Sequence, residues 1–364
     1  MTEEITDNIL NGVLEFYHCH VDACQISRLG NGHINDTFLV KSSAQNFVLQ
    51  RINAEVFPDP MAVINNAELI NQHLANARQQ GRYPLSSMKQ RANINNELAT
   101  LYQGQYWRAV DYVDNCFTLE SVSNLEQAKQ VASSFAQFSA AMSNFPAEKL
   151  AEIIPNFHNI GFRMLQLNEA IKQDKAKRLA SCESWVSFCH NQQRFIDEVT
   201  RITLKLPLNV THNDTKINNL LFDKSTERPI TVIDLDTCMS GYLMHDFGDM
   251  VRTCCSTLAE DATNVDEMAL KKEVFAALAQ GYIDSFGENI STLEKQSLII
   301  GAKLLPFMIG VRFLTDYLDG DNYFSIKHPQ HNLERAINQF TLYQLLCQNH
   351  DFITATITNL NSDH

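Results

Sequence analysis

The sequence predicts an α+β fold with a small β-rich N-terminal lobe and a larger, mostly helical C-terminal lobe. Three observations predict it. Residues before about position 110 alternate apolar and polar, with β-branched and aromatic residues concentrated in short runs and glycines at the turns. From Ser123 onward the apolar spacing becomes helical. Within that helical part, LPLNVTHNDTKINNLLFDKSTERPITVIDLDTCMSGYLMHDFGD (206–249) returns to short strands separated by polar loops.

In order, the first element expected is a strand containing Cys24 and Ile26, followed by strands over 37–41 and 46–52, with Gly30 and Gly32 in the first turn. After Pro60, MAVINNAELINQHLANARQQ keeps apolar residues near helical spacing and stops at Gly81, so it reads as a helix. Extended stretches at 98–102 and 105–113 complete the N-terminal sheet. Ser123 and Glu126 form a capping-box pattern, and Val131, Phe135, Phe138, Met142 and Phe145 mark one helix face. Further helices are expected over 180–205, 267–286, 294–318 and 332–349. The domain division is 1–110, the β-rich lobe, and 111–364, the helical lobe.

Composition narrows the function. With 29 Lys+Arg against 42 Asp+Glu the net charge is −13, which disfavours nucleic acid and anionic membranes as partners. The longest apolar window, 297–318, is interrupted by Lys303, Pro306, Arg312 and Asp316, so no membrane span is expected. Nine cysteines without a CxxC pair fit reduced thiols and a cytoplasmic location. His18, Cys19, His20 and Cys24 are possible zinc ligands, but no second pair follows at finger spacing, and a polar segment leading into a strand is the better reading.

The strand-type insertion concentrates ionisable groups. After Val210 and Thr211 come His212, Asp214, Lys216, Asn218 and Asn219, and the apolar strand 230–233 runs into Asp234 and Asp236. Phosphoryl transfer needs hard oxygen ligands for magnesium, a carboxylate for the accepting hydroxyl, and donors for phosphate oxygens. Asp214 can be the base, Asn219 and Asp234 the metal ligands, and Lys216 a phosphate contact. The bland alternative is that His212 and Asp214 tie down a turn. No P-loop, nucleophile elbow or metalloprotease His pair competes.

HNDTKINN, with Asp234 15 residues beyond Asn219, resembles the catalytic motif of the aminoglycoside phosphotransferase and choline kinase superfamily, which has a protein-kinase-like fold. Within it the sequence is most similar to bacterial N-acetylhexosamine 1-kinases. The matching blocks are GNGHINDTFLV (30–40), FVLQRIN (47–53), QYWRAVDYV (105–113), IPNFHN (154–159), THNDTKINNLLFD (211–223), VIDLDTCMSGYLMHDFGD (232–249) and RFLTDYLDGDNYF (312–324). The resemblance implies a two-lobed protein-kinase-like fold, ATP and magnesium as cofactors, Asp214 as catalytic base, and Asn219 with Asp234 on the metal. It also implies that Gly30 to Thr37, including Gly32 and Asn35, form the loop over the ATP phosphates. Residues 107–113 would be the hinge between lobes.

One departure stands out. Where the kinase pattern has a strand lysine, FVLQRIN offers Gln50 and Arg51, which strand alternation puts on opposite faces. Glu68 is the acid available inside the following helix as an ion-pair partner. For the acceptor, a sugar pocket would draw on His33, Asp246, Arg252, Arg312 and Asp316. Arg312 and Asp316, four apart on a helix, could equally be a surface ion pair worth ~0.3–0.5 kcal/mol. The function expected is phosphorylation of the anomeric hydroxyl of an N-acetylhexosamine. Aminoglycoside or amino-alcohol kinases are the neighbouring alternative, and a nucleotide-binding pseudokinase is the alternative of another class.

Overall fold

The computed structural model describes residues 5–29, 34–43 and 46–360. Gly30, Gly32 and His33 lie outside the described residues. The chain has a β-sheet N-terminal region and a helical C-terminal region and divides into two compact units.

The smaller unit comprises Met1–Phe117, Glu148–Ile154 and Leu221–Met239. Its main sheet runs in the order Cys24–Arg28, Asp36–Ser42, Asn46–Arg51, Gln105–Asp111, Gln90–Arg91, all antiparallel, with Thr100–Tyr102 also paired to Gln105–Asp111. The period-2 pattern gives it two distinct faces. Phe38, Val40, Phe47, Leu49, Trp107 and Ala109 point to one side, where the helix Asp7–Glu15 covers them with Leu10, Val13 and Leu14. That helix was not expected from the sequence, although Thr6 caps it and its apolar residues sit at i, i+3 and i+4. Cys19 belongs to the same core and Cys24 packs against it.

The helix after Pro60 spans Pro60–Gln79, capped by Asp59, and buries Val63, Ile64, Ala67, Ile70 and Leu74. Its Asn66 is also buried. The Asn66 amide donates to the carbonyls of Ala151 (2.9 Å) and Cys238 (3.1 Å) and accepts from the Ala151 amide, so one side chain satisfies both later segments of this unit. Pro229–Val232, Leu220–Asp223 and Cys116–Phe117 form a second sheet.

The larger unit comprises Thr118–Ala147, Pro155–Leu220 and Ser240–His364. Its first helix, Leu125–Ala141, starts one residue later than the box pattern implied: Asn124 is the cap and Gln127 reaches back to Ser123. Asn is as good an N-cap as Ser, so the cap moves one position on while the Ser123 N–H still donates to the helix's first turn, now to Gln127. The 180–205 expectation is corrected to two helices, Glu183–His190 and Gln193–Thr203. Ile160–Gln173, Leu243–Cys254 and His350–Asn359 are helices the sequence reading did not name.

Thr292–Asp319 is the central helix, with a full Ser291–Glu294 capping box and Gly320 at φ 101° closing it. Among the described residues it alone is long and apolar enough to cross a membrane, yet 78% of its apolar window is buried within the protein. It packs against Leu243–Cys254 at a glycine pair. A Cβ on Gly248 would lie 2.2 Å from the Gly301 carbonyl oxygen, and one on Gly301 would lie 2.1 Å from that of Met244. This close approach fixes the helix that carries Asp246, Asp249 and Arg252.

Candidate active site

In the larger unit the strand Asn209–Thr211 ends at a loop, residues 212–216, that leads into the short turn Ile217–Asn219. Asn213 takes φ 65°, a left-handed conformation that Asn tolerates better than most residues. That bend turns the amides of His212 and Asn213 inward, where both donate to the Asp246 carboxylate at 2.9 and 2.7 Å. Thr215 Oγ1 donates to the Asp246 carbonyl at 2.6 Å. The His212 ring is buried edge-on against Phe135 and Phe138, and its Nδ1 accepts from the Asp214 amide. Backbone and side chain of one aspartate therefore hold the loop at three points.

Asp214 projects from this loop with about a quarter of its side chain exposed, unlike its neighbours. Lys216 Nζ lies 2.8 Å from Oδ1, and Asn219 Nδ2 donates to both Oδ2 (2.9 Å) and the Asp214 carbonyl (2.8 Å). Burial pushes the carboxyl up, but the Lys216 charge and hydrogen bond, with His212 and Arg252, outweigh it and hold it below its ordinary value. Asp214 in turn raises Lys216. The pair is thus ionised at neutral pH. Because Asn219 uses its amide nitrogen on Asp214, its Oδ1 is the atom left to meet a cation, a hard oxygen of the kind magnesium takes.

Around the loop lies an arginine-rich, aromatic surface. His158 Nε2 is 3.2 Å from the Asn213 carbonyl, which can only accept, so Nε2 carries the proton and Nδ1 the lone pair. The His158 ring packs on Phe157 and His245. Burial drives both imidazoles to lower values, His245 to about 3, and keeps them neutral. Arg312 sits 5.2 to 5.4 Å from the ring centres of Phe157, Tyr323 and Phe324 and donates to the Tyr323 hydroxyl. Burial lowers its pKa, and the charges of Arg252 and Asp214 both act on it. Arg312 and the Asp214 loop thus share one electrostatic neighbourhood.

Several expected ligands have other partners. Asp316 is buried, and its oxygens accept from the amides of Asn322, Tyr323 and Phe324 and from Asn332 Nδ2, each at 2.9 Å. It shapes the loop that presents Tyr323 and Phe324. This corrects both the surface ion pair with Arg312 and a direct role at sugar hydroxyls. Asp246 is corrected likewise, its carboxylate being 1% exposed and taken up by loop amides. Burial raises it to about 6 despite those donors. Arg252 is buried between Asp249 (2.8 Å) and Glu260 (2.5 Å), a contributor to the local field rather than an open ligand site.

In the smaller unit, Gln50 and Arg51 separate as strand alternation requires. Arg51 is buried and pairs with Asp36 at 2.7 Å, beside Trp107 in the sheet register, which corrects it as a residue of the nucleotide face. Gln50 lies on the opposite face, in one cross-strand row with Thr37 and Arg108. It donates to Thr37 Oγ1 (3.2 Å) and accepts from Arg108 Nε (2.9 Å). Arg108 Nη2 reaches Asp236 Oδ1 at 2.5 Å, and Asn35 Nδ2 donates to Oδ2 at 2.6 Å. Glu68 accepts from Gln72 and Gln90, not from a cation. Asp234 stands in a left-handed conformation, φ 60°, at the start of the turn Leu235–Thr237. His158, Arg108, Asp236 and Tyr323 were in quoted sequence blocks but had no role from residue type alone.

A family model described as phosphotransferase enzymes matches residues 25–282. Solved structures similar to the chain include an aminoglycoside phosphotransferase from Alicyclobacillus acidocaldarius, at TM-score 0.58 and 14% identity, covering 99% of this chain and 96% of that one. A choline kinase from Cryptosporidium parvum matches at TM-score 0.60 and 14% identity over 98% and 99%. A spectinomycin phosphotransferase solved with ADP and spectinomycin matches at 0.57 and 13% over 97% and 99%. Identities this low carry the fold alone; the family match carries more, because it takes in the Asp214 loop, Asn219 and Asp234 together. The chain belongs to the phosphotransferase enzyme family.

Proposed function

We propose that the protein transfers the γ-phosphoryl group of ATP to a hydroxyl of a small molecule, and that the acceptor is the anomeric hydroxyl of an N-acetylhexosamine. Asp214 would accept the hydroxyl proton as the oxygen bonds to phosphorus and ADP departs. A carboxylate held at a lowered pKa is a weak base, which suits a loose transition state in which the proton is lost late. Its main contribution is then to orient the hydroxyl. Lys216, on the same carboxylate, would contact the transferring phosphate. Asn219 would offer a hard oxygen to magnesium, which when bound neutralises charge on the phosphates; Asp234, the other expected ligand, stands in the smaller unit.

The observation that carries the acceptor class is Arg312. An aromatic enclosure of three rings is what a quaternary ammonium would need, and here the protein's own guanidinium occupies it. With Arg163 and Arg252 nearby and both imidazoles neutral, the neighbourhood of Asp214 offers donors and positive charge. That favours hydroxyl and carbonyl oxygens over cations, even though the whole chain carries −13. Choline and the polycationic aminoglycosides, acceptors of related enzymes, are the second reading.

ADP release with a panel of N-acetylglucosamine, N-acetylgalactosamine, their 1-methyl glycosides, kanamycin, spectinomycin, choline and ethanolamine tests this directly. Turnover of the free sugars with none for the 1-methyl glycosides is expected, and the product should carry phosphate at C1 by NMR. Turnover only with an amine refutes the sugar reading. ADP release with no acceptor tried would leave water as the acceptor, and nucleotide binding without any release would identify a pseudokinase.

A further inference from the structure

The small unit places a buried arginine where an apolar core would be cheaper. The face of the sheet opposite the Asp7–Glu15 helix carries Thr37, Gln50 and Arg108 side by side on three adjacent strands. Arg108 is 4% exposed and its partner Asp236 only 2%. A buried ion pair at best breaks even against apolar residues of the same size. The pair therefore needs a reason other than stability.

Its connections suggest one. Asp236 holds Arg108 with one oxygen and Asn35 with the other. Gln50, at the strand position lacking a lysine, holds the Arg108 Nε. These bonds use Nε and Nη2, fixing the guanidinium plane, and neither uses Nη1. A cation locked by a carboxylate and set between a neighbouring strand and the turn after Asp234 has the elements of a phosphate clamp: fixed charge, planar donors and a preformed geometry. Arg51, one residue from Gln50, cannot serve, since it faces the other side and pairs with Asp36.

Resting on the reading that the protein uses a nucleoside triphosphate, we propose that Arg108, held by Asp236 and Gln50, is the cation that contacts the nucleotide's phosphate chain in place of a strand lysine. The charge thus moves to the adjacent strand and its carboxylate partner to the turn following Asp234.

The test is a phosphate ladder. Calorimetry at fixed magnesium and without acceptor would measure ATP, ADP, AMP and adenosine on the wild type, Arg108→Gln, Arg108→Lys and Arg51→Gln. Loss of one charge-assisted contact to phosphate predicts a roughly 10- to 100-fold weaker ATP complex for Arg108→Gln, a smaller loss for AMP and less than twofold for adenosine. Arg108→Lys, which keeps the charge and loses the fork, should recover most of the ATP affinity. If Arg108→Gln does not fold, Arg108→Lys is still expected to show a deficit that grows with phosphate number. Equal losses across all four ligands would mean that Arg108 only braces the sheet, and a phosphate-graded loss in Arg51→Gln instead would move the clamp to the other residue. Unchanged ATP binding in Arg108→Gln overturns this proposal alone. A wild type that binds none of the four overturns the nucleotide reading beneath it.

Discussion

His245 gives the protein a pH-dependent stability that can be worked out from one side chain. The imidazole is buried between His158 and Tyr242, its Nε2 has no hydrogen-bond partner, and burial takes its pKa from 6.5 to about 3. In the folded state it is neutral throughout the mildly acidic range, whereas in the unfolded chain it protonates below about 6.5. Between about 3 and 6.5 the unfolded state binds more protons, so stability rises with pH through that window and is complete above it. At pH 5, 1.5 units below the unfolded value, the loss relative to pH 8 is ~2 kcal/mol from this residue. His158, lowered in the same direction mainly by burial and then by His245 itself, adds to it. His245→Phe keeps the ring contacts, removes the titration and removes an unpartnered buried nitrogen. Urea titrations followed by tryptophan fluorescence at pH 8, 7, 6 and 5 should show the wild type losing ~2 kcal/mol more than the variant between the ends. If both lose the same amount within ~0.5 kcal/mol, His245 is not held neutral and the account of the arginine-rich surface fails with it.

Asp214→Asn should lower kcat by roughly 10²–10⁴-fold with nucleotide affinity within a few-fold of wild type; turnover within twofold would remove Asp214 from the chemistry. Asp246→Ala strands two loop amides that now meet a charge, so unfolding free energy should fall by ~3 kcal/mol or more, with kcat falling too because the loop loses its anchor. A urea midpoint close to wild type would contradict the clamp. Arg312→Lys keeps the charge but cannot stack on three rings, and should raise the acceptor KM about tenfold or more while stability changes by less than ~1 kcal/mol. An unchanged acceptor KM would place the substrate elsewhere.

What the sequence made legible was local. The helix at Pro60–Gln79 announces itself through Asp59 and Pro60 at one end and Gly81 at the other, and all the groups that define it lie within one run of residues. The Asp214 loop is equally self-contained, since Lys216 and Asn219 reach Asp214 from two and five positions away. Arg108 is the opposite case. On its strand it reads as the polar half of an alternating pair, and its meaning comes from Asp236, 128 residues later. The break between Glu183–His190 and Gln193–Thr203 was hidden because buried apolar residues continue across it while Asn191 closes the first helix with backbone bonds. The same blindness to the backbone explains Asp246 and Asp316: most of their donors are peptide N–H groups, which no residue type advertises.

That last point separates the aspartates of the molecule by chemistry. Asp214, Asp236, Asp246 and Asp316 are equivalent letters in a sequence, and any of them could be drawn toward a substrate hydroxyl. In the folded chain Asp236, Asp246 and Asp316 are 2%, 1% and 6% exposed, and their oxygens are bound by donors fixed in the scaffold. A ligand would have to break those bonds and leave amides or a guanidinium unsatisfied, at ~1–3 kcal/mol each. Asp214 differs in both respects. It keeps a quarter of its side-chain surface, and its partners are the partly exposed ammonium of Lys216 and the amide of Asn219, side-chain groups that can turn toward a phosphate or a metal ion without breaking a backbone bond of the loop. The buried aspartates hold loops still while Asp214 stays partly exposed, and it is this division, rather than the presence of carboxylates, that favours residues 212–219 as the proposed site of transfer.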